Sequence, residues 1–281
     1  MLKKRIKKRI IAVVLATLAA IIYISAGTYL YLKQDAILFP ASKTPAGEVF
    51  HFEVPFEEVW IEAEDAKLHG LYLKADEDPL KTRGIIIFFH GNSERVQQFG
   101  ATADEFTKQG FDYFIPDYRG YGKSTGKITS EKQFLADIDR IYDWAKQKYP
   151  ENKIIVAGRS LGAAPAAYLG SKNNPKLVLM IASFFNIAAM KDIRYPYLPD
   201  FILKYKLPNN RWIAQIKCPV YLIHGTMDKT IPYTQTERLS RVTAGSPRRY
   251  FSVPGAGHSD LQDFPLYHRI LYFLMNQKTD S

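Results

Sequence analysis

Ile154-Ile155-Val156-Ala157-Gly158-Arg159-Ser160-Leu161-Gly162-Ala163-Ala164 is the stretch whose reading decides the fold of this chain. Its first four residues form a continuous apolar run, as expected of a strand buried on both faces. Its last residues, with Ala166 and Ala167 beyond them, are helix formers. Between the two lies Gly-x-Ser-x-Gly. At average Gly and Ser usage of about 7% each, roughly one chain in ten of this length would carry that pattern by chance. The setting is what carries weight, because a sharp strand-to-helix turn is how a nucleophilic serine is displayed. The glycines let strand and helix approach closely, and the serine backbone is held in a strained conformation. Ser160 then projects above the sheet at a helix N-terminus, where the dipole favours developing negative charge.

The same alternation extends outward. Apolar runs recur at 85–89, 111–115, 177–181 and 220–223, each a buried strand. Helical stretches separate them: 130–149, opened by a capping-box pattern at Ser130 and Gln133, then 160–171, and a last one over about 260–277. Before them, 59–63 and 68–75 read as a hairpin around Glu64-Asp65-Ala66. Buried strands alternating with helices predict an α/β fold, the α/β-hydrolase fold: a mainly parallel sheet with helices on both faces. Residues 184–216 interrupt the alternation and are expected to form a small cap. Residues 34–57, with Pro40, Pro45 and Pro55, read as an irregular connector. The hydrolase domain is then 58–281. Of the 281 residues, 47% are hydrophobic and 23% charged, which fits a globular chain rather than a disordered one.

Three loops at strand ends complete a site around Ser160. His90-Gly91-Asn92-Ser93 follows the first buried strand, where this fold takes one backbone N–H of its oxyanion hole. Asn92 is the expected donor, paired with the N–H of Leu161; His90 is read as a support for the loop. Asp228, in His224-Gly225-Thr226-Met227-Asp228, lies just past another strand, where the acid of a triad belongs. His258, in Gly255-Ala256-Gly257-His258, is the expected base. The order Ser160, Asp228, His258 is the one this fold uses. Asp192 and Asp200 are weaker substitutes for the acid, and His268 for the base. Asp117-Tyr118-Arg119-Gly120-Tyr121-Gly122-Lys123-Ser124 imitates the end of a phosphate-binding loop, but Asp117 stands where that motif needs its first glycine. Asp117 and Arg119 are instead expected to pair beneath the loops. Cys218, the only cysteine, excludes an internal disulfide and reads as core.

The formal net charge is +10, and Lys3, Lys4, Arg5, Lys7, Lys8 and Arg9 supply six of those charges before the fold begins. A nucleic-acid binder carries its basic patch on the folded domain, so no nucleic-acid partner is expected. Residues 10–32 follow as an uncharged apolar run, long enough at about 1.5 Å per residue to cross roughly 30 Å of hydrocarbon. The run exceeds the 7–15 residues usual for a signal-peptide core and ends in no A-x-A site, which favours a retained anchor over a cleaved signal. The unit 1–33 is therefore read as a basic terminus and membrane anchor. The positive-inside rule puts the N-terminus in the cytoplasm and the catalytic domain on the extracytoplasmic side. The anchor is expected to play no part in the chemistry.

Phe89-His90-Gly91-Asn92, the Asp117–Ser124 loop, Gly158-Arg159-Ser160-Leu161-Gly162, His224-Gly225-Thr226-Met227-Asp228 and Gly255-Ala256-Gly257-His258, behind a short membrane anchor, resemble the Bem46-like α/β-hydrolases. The resemblance runs from about Gln34 to the end. Asn92-Ser93-Glu94 departs from the Asn-Ala-Gly-Asn often seen in the group. Members of the group are described as esterases, lipases, protein thioesterases and serine peptidases, so the resemblance implies a serine hydrolase without naming a substrate. The residues imply an acyl-enzyme on Ser160, with acyl esters, lipids or acylated proteins as substrates and no metal or cofactor required. Phe184, Phe185, Met190 and Tyr195 are the expected acyl-pocket residues in the cap. A serine peptidase on the same fold, and an inactive membrane-bound binding protein, are the alternatives.

Overall fold

The computed structural model of the chain describes residues 2–45, 47–76, 81–242 and 248–276. Among these, eight strands form one sheet in the order β1-β2-β4-β3-β5-β6-β7-β8. The strands are β1 (Phe56–Ala63), β2 (Ala66–Leu73), β3 (Gly84–Phe89), β4 (Phe111–Pro116), β5 (Ile154–Arg159), β6 (Leu177–Ile181), β7 (Val220–Gly225) and β8 (Arg248–Val253). β2 alone runs against the others, pairing antiparallel with β1 and β4. From β4 to β8 every pair is parallel. The β1–β2 hairpin closes through Glu64-Asp65, with Ala63 opposite Ala66. Asp65 takes the left-handed conformation there (φ 57°), which Asp tolerates.

The continuous apolar runs are explained by two cores. Ile85, Ile87 and Phe89 pack on one face with Phe134, Ile138 and Ile141 of α3 (Glu131–Lys146) and the alanines of α4 (Ala163–Lys172). Ile86 and Phe88 point the other way, to Phe106 of α2 (Gly100–Thr107) and Leu271 and Leu274 of α8 (Pro265–Met275). Period-2 alternation with both faces covered leaves no polar position within the strand. Ser130 caps α3, its hydroxyl accepting from the Gln133 N–H at 3.1 Å. α8 begins five residues later than the pattern predicts because Pro265 fits the first helical position, while Leu261–Asp263 forms a separate 3-10 turn. Its predicted end at Gln277 lies outside the described residues.

Between β6 and β7 the chain rises over the sheet as the cap. It contains α5 (Ile187–Arg194), a 3-10 turn at Asp200–Ile202 and α6 (Asn209–Ile213); α7 (Thr234–Ser240) follows β7. Trp212 of α6 packs edge-on against Tyr168 of α4, with ring centroids 5.4 Å apart.

The N-terminal helix departs from expectation. α1 spans Leu2–Leu38, so the connector expected from residue 34 starts after Leu38. Nothing between Lys33 and Leu38 breaks a helix, and the stop falls before Pro40, which disfavours helical backbone at Phe39. The added turn is held from outside. Gln34 donates to the Ile202 carbonyl (2.7 Å) and accepts from the Lys204 N–H (2.8 Å). Asp35 accepts from the Tyr205 hydroxyl at 2.8 Å. Further back the helix touches little: its most apolar window, of mean hydropathy 2.5, is 0% buried. A core helix this apolar would be covered by protein; this one is long and apolar enough to cross a membrane.

Candidate active site

The site forms where the sheet changes direction of growth. The chain leaves β3 for β4 on one side and returns to β5 on the other, so the carboxyl ends of β3 and β5 flank a topological switch point, the usual ligand crevice of such sheets. Ser160 follows β5 directly, in a 3-10 turn at Ser160–Gly162 that leads into α4. Its φ is +55°, the left-handed region, which for a non-glycine residue costs about 1–3 kcal/mol. A Cβ on Gly158 would collide with the Gly162 carbonyl oxygen, and one on Gly162 with the Phe89 carbonyl oxygen. Both glycines are therefore required by close backbone approach.

Three expected residues meet above this turn. His258 Nε2 lies 3.1 Å from Ser160 Oγ, and His258 Nδ1 lies 2.7 Å from Asp228 Oδ2. A carboxylate only accepts, so Nδ1 carries the proton and Nε2 is free to accept from the serine hydroxyl. Asp228 is held by more than His258. The Thr230 and Ile231 N–H groups donate to Oδ1 at 2.8 Å each, and His224 Nε2 donates to Oδ2 at 2.9 Å. Burial alone would raise the Asp228 pKa; the hydrogen bonds from His224, His258 and Ile231 outweigh it and hold the carboxyl well below the usual range.

His224 is the residue the sequence motif contained but whose role was not read from it. It is fully buried, and its Nε2 faces two acceptors, Asp228 and the Ile231 carbonyl (2.9 Å), which assigns its proton. Nδ1 meets Thr236 Oγ1 at 2.6 Å. The spacing of four residues between His224 and Asp228, across a strand end, was the available signal.

Asn92 and Leu161 border the same cavity as Ser160. The Asn92 peptide is tethered by Tyr121, whose hydroxyl donates to its carbonyl at 2.8 Å. Glu94 occupies the departure from the family pattern. Its carboxylate accepts from the Gly91 N–H at 2.6 Å and pairs with Arg159, the variable residue before Ser160. The Gly91 N–H is thereby engaged, and the loop after β3 is tied to the turn after β5. His90 sits behind, its Nδ1 donating to the Gly91 carbonyl at 2.7 Å and its carbonyl accepting from Tyr118 (2.7 Å). Burial keeps its pKa below the ordinary histidine value.

Asp117 and Arg119 do not pair with each other. Arg119 makes a bidentate bond to Asp137 of α3, at 2.8 Å through both Nε and Nη2, and Asp117 instead faces His69 Nδ1 at 3.3 Å. The backbone turns between the two, so Arg119 reaches the helix layer while Asp117 stays beneath the loops. Lys123 pairs with Glu58 at 2.7 Å and covers the Phe50 ring, which leaves no phosphate cradle. His268 lies on α8, bonded to Glu105 and the Gln262 carbonyl, and Asp192 and Asp200 both pair with Lys191 in the cap. Among the described residues no cluster of His, Cys, Asp or Glu is placed to hold a metal ion.

Ser160 opens into a cavity of about 260 Å³. Phe184, Ile187, Met190, Tyr195 and Leu198 line it from the cap, and Thr230 and Ile231 from the loop after β7. Phe185 is not among them. Its ring lies under the Arg238 guanidinium at 4.0 Å, because adjacent side chains on this non-helical stretch point apart. Leu30, Gln34, Ile37 and Leu38 of α1 form a further wall, so the N-terminal helix borders the site. A more open cleft of about 620 Å³ lies at the other end of the sheet, near Tyr149 and Lys217, and holds neither His nor Cys.

Residues 80–209 match the family described as serine aminopeptidase, S33. An uncharacterized protein of Mycobacterium tuberculosis is 28% identical over 260 residues, covering 90% of each chain. Protein bem46 of Schizosaccharomyces pombe is 26% identical over 251 residues, 83% of this chain and 82% of that one. An esterase of Pyrococcus furiosus superposes with a TM-score of 0.64 at 20% identity, over 84% of this chain and 97% of its own, a likeness of fold. Relatives matched along most of the chain and the likeness of fold agree with the motifs around Ser160: this chain belongs to the Bem46-like α/β-hydrolases.

Proposed function

We propose that the protein is a membrane-anchored serine hydrolase that cleaves acyl esters or thioesters through an acyl-enzyme on Ser160. The observation that carries this reading is the chain of contacts from Asp228 through His258 to Ser160, opening onto an apolar cavity. His258 Nε2 takes the Ser160 proton as Oγ attacks the acyl carbon, and the Asp228 carboxylate stabilises the imidazolium that forms. The backbone N–H groups of Asn92 and Leu161 receive the oxyanion. His258 then protonates the leaving group. Water, activated by the same imidazole, releases the acid and restores Ser160.

The peptidase alternative draws support from the family match. An aminopeptidase grips a substrate ammonium with carboxylates, and the cavity has none among the described residues: its charged members are Lys191 and Arg194. The apolar lining favours an acyl chain. α1 supplies the anchor, with the basic N-terminus in the cytoplasm and the hydrolase domain outside.

The test is kcat/KM over a p-nitrophenyl ester series, beside a peptide anilide and a serine-directed phosphonate probe. Four added methylenes buried at up to about 0.8 kcal/mol each would give roughly 3 kcal/mol, on the order of a hundredfold. Incomplete burial reduces the expected gain from acetate to hexanoate to about tenfold. Faster cleavage of the anilide would replace the esterase reading with the peptidase one. No labelling of Ser160 by the probe would leave the binding-protein reading.

A further inference from the structure

The contacts between α1 and the cap fix how deep the cap lies relative to the anchor. Tyr23, well inside the apolar run, donates its hydroxyl to the Tyr197 carbonyl of the cap at 2.9 Å. Arg9 marks the near edge of the run, and about 20 residues cross a hydrocarbon core, which brings the far edge close to Tyr29. Tyr23 is six residues short of that edge, or about 9 Å at 1.5 Å per residue. A cap bonded to Tyr23 must therefore dip to the boundary between headgroups and acyl chains, the depth at which interfacial segments bury their apolar face.

The surface of the cap suits that depth. Phe201 is 87% exposed and Tyr197 63%, with Ile193 also outward. Such residues on water-facing surface would be a liability, and together they mark a membrane or partner contact. The two carboxylates of this stretch, Asp192 and Asp200, are both held by Lys191 Nζ, at 2.5 and 2.9 Å, so neither is left unpaired. The cavity opens at the edge itself. Leu30, one residue past Tyr29, borders it together with Tyr195, and Ser160 lies on the same cavity. Arg194 borders the mouth and has no hydrogen-bond or ion-pair partner among the described residues.

We propose that the cap sits in the leaflet beside α1 and that the cavity takes an acyl chain of a glycerophospholipid sideways from that leaflet. The inference rests on the serine-hydrolase reading and on α1 crossing a membrane, and it adds the substrate class and its route. The chain slides past Leu30 and Tyr195 without crossing water, while Arg194 meets the headgroup phosphate. Attack by Ser160 Oγ forms the acyl-serine and breaks the ester C–O bond. The serine proton passes through His258 to the lysolipid oxygen, and water later frees the fatty acid.

The experiment uses the full chain reconstituted in vesicles of phosphatidylcholine with one tenth phosphatidylglycerol. A fluorophore on Phe201→Cys, in a Cys218→Ala background, should be quenched by doxyl-labelled lipids; an unquenched label overturns the immersion of the cap. The double variant Phe201→Asp, Tyr197→Asp should lose at least tenfold in phospholipid hydrolysis and stay within twofold on water-soluble p-nitrophenyl butyrate. Neither residue lines the cavity. Equal effects on both substrates, or none on either, overturn the lateral route. Wild-type protein that cleaves butyrate but not phospholipid, or cleaves an acylated peptide in preference, overturns the substrate class while the serine-hydrolase reading stands. Failure on every ester removes that reading itself, and this inference with it.

Discussion

His258 lies 3.1 Å from Ser160 Oγ and 2.7 Å from Asp228, so the three side chains should behave as one unit. Ser160→Ala is expected to lower kcat by about 10³ or more with the fold intact by circular dichroism. His258→Ala and Asp228→Asn should each lose most activity, and the double variant little more than the worse single. Multiplicative losses would separate the two residues. Asp228 also carries a stability signature. Its folded pKa lies below the ordinary carboxylate value near 4, so its contribution is complete above about pH 4 and fades as the pH falls toward the folded value. The stability gap between wild type and Asp228→Asn should narrow from pH 7 to pH 3 in urea titrations. A constant gap would show that the carboxylate is not held in its charged form. Cys218 is the opposite case: burial pushes its thiol up to about 12, so iodoacetamide should leave the native protein unmodified at pH 8.

Two joints between elements set the geometry of the site. The first joins the loop after β3 to the turn after β5 through Glu94 and Arg159. Glu94→Gln should leave Arg159 without its counter-charge, loosen the Asn92 peptide and lower kcat about tenfold with little change in KM, since the oxyanion forms only as the reaction proceeds. A rise in KM alone would place Glu94 in substrate binding instead. The second joint docks α1 on the cap. Deleting 1–33 leaves Gln34 and Asp35 in place but removes Leu30, so short esters should still turn over while the preference for longer chains shrinks. Deleting 1–38 also removes the bonds of Gln34 and Asp35 to residues 202–205, each worth about 1 kcal/mol, and should lower Tm by roughly 10 °C. Identical melting of the two truncations would mean the last turn of α1 adds nothing to the fold.

At the scale of the whole molecule, α1, the cap and the cavity lie on one side of the sheet, at the carboxyl ends of its strands. A membrane crossed by α1 is then near the mouth of the cavity rather than behind the fold. The six cations before the apolar run predict a cytoplasmic N-terminus. Alkaline phosphatase fused to the C-terminus should therefore be active, and a reporter that works only in the cytoplasm should be silent. The reverse pattern would invert the topology and place the site on the cytoplasmic leaflet.

Local chemistry in the sequence was enough for the strands, the elbow and the order of Ser160, Asp228 and His258. Strands buried on both faces are apolar at most positions, and a tight strand-to-helix turn must carry glycines where backbones touch, so both leave marks on consecutive residues. The long apolar helix over residues 10 to 32 was legible for the same reason, as a run of one composition. Partners distant in the chain left no such mark. Arg119 chose Asp137 over Asp117 and Glu94 reached Arg159, each through folding that brings separate segments together. Phe184 and Phe185 have the same composition and adjacent positions, yet only Phe184 enters the cavity. The role of α1 was hidden most completely. Its last turn reads as a connector, and it becomes a wall of the site only when residues 202–205, some 170 positions away, close against it.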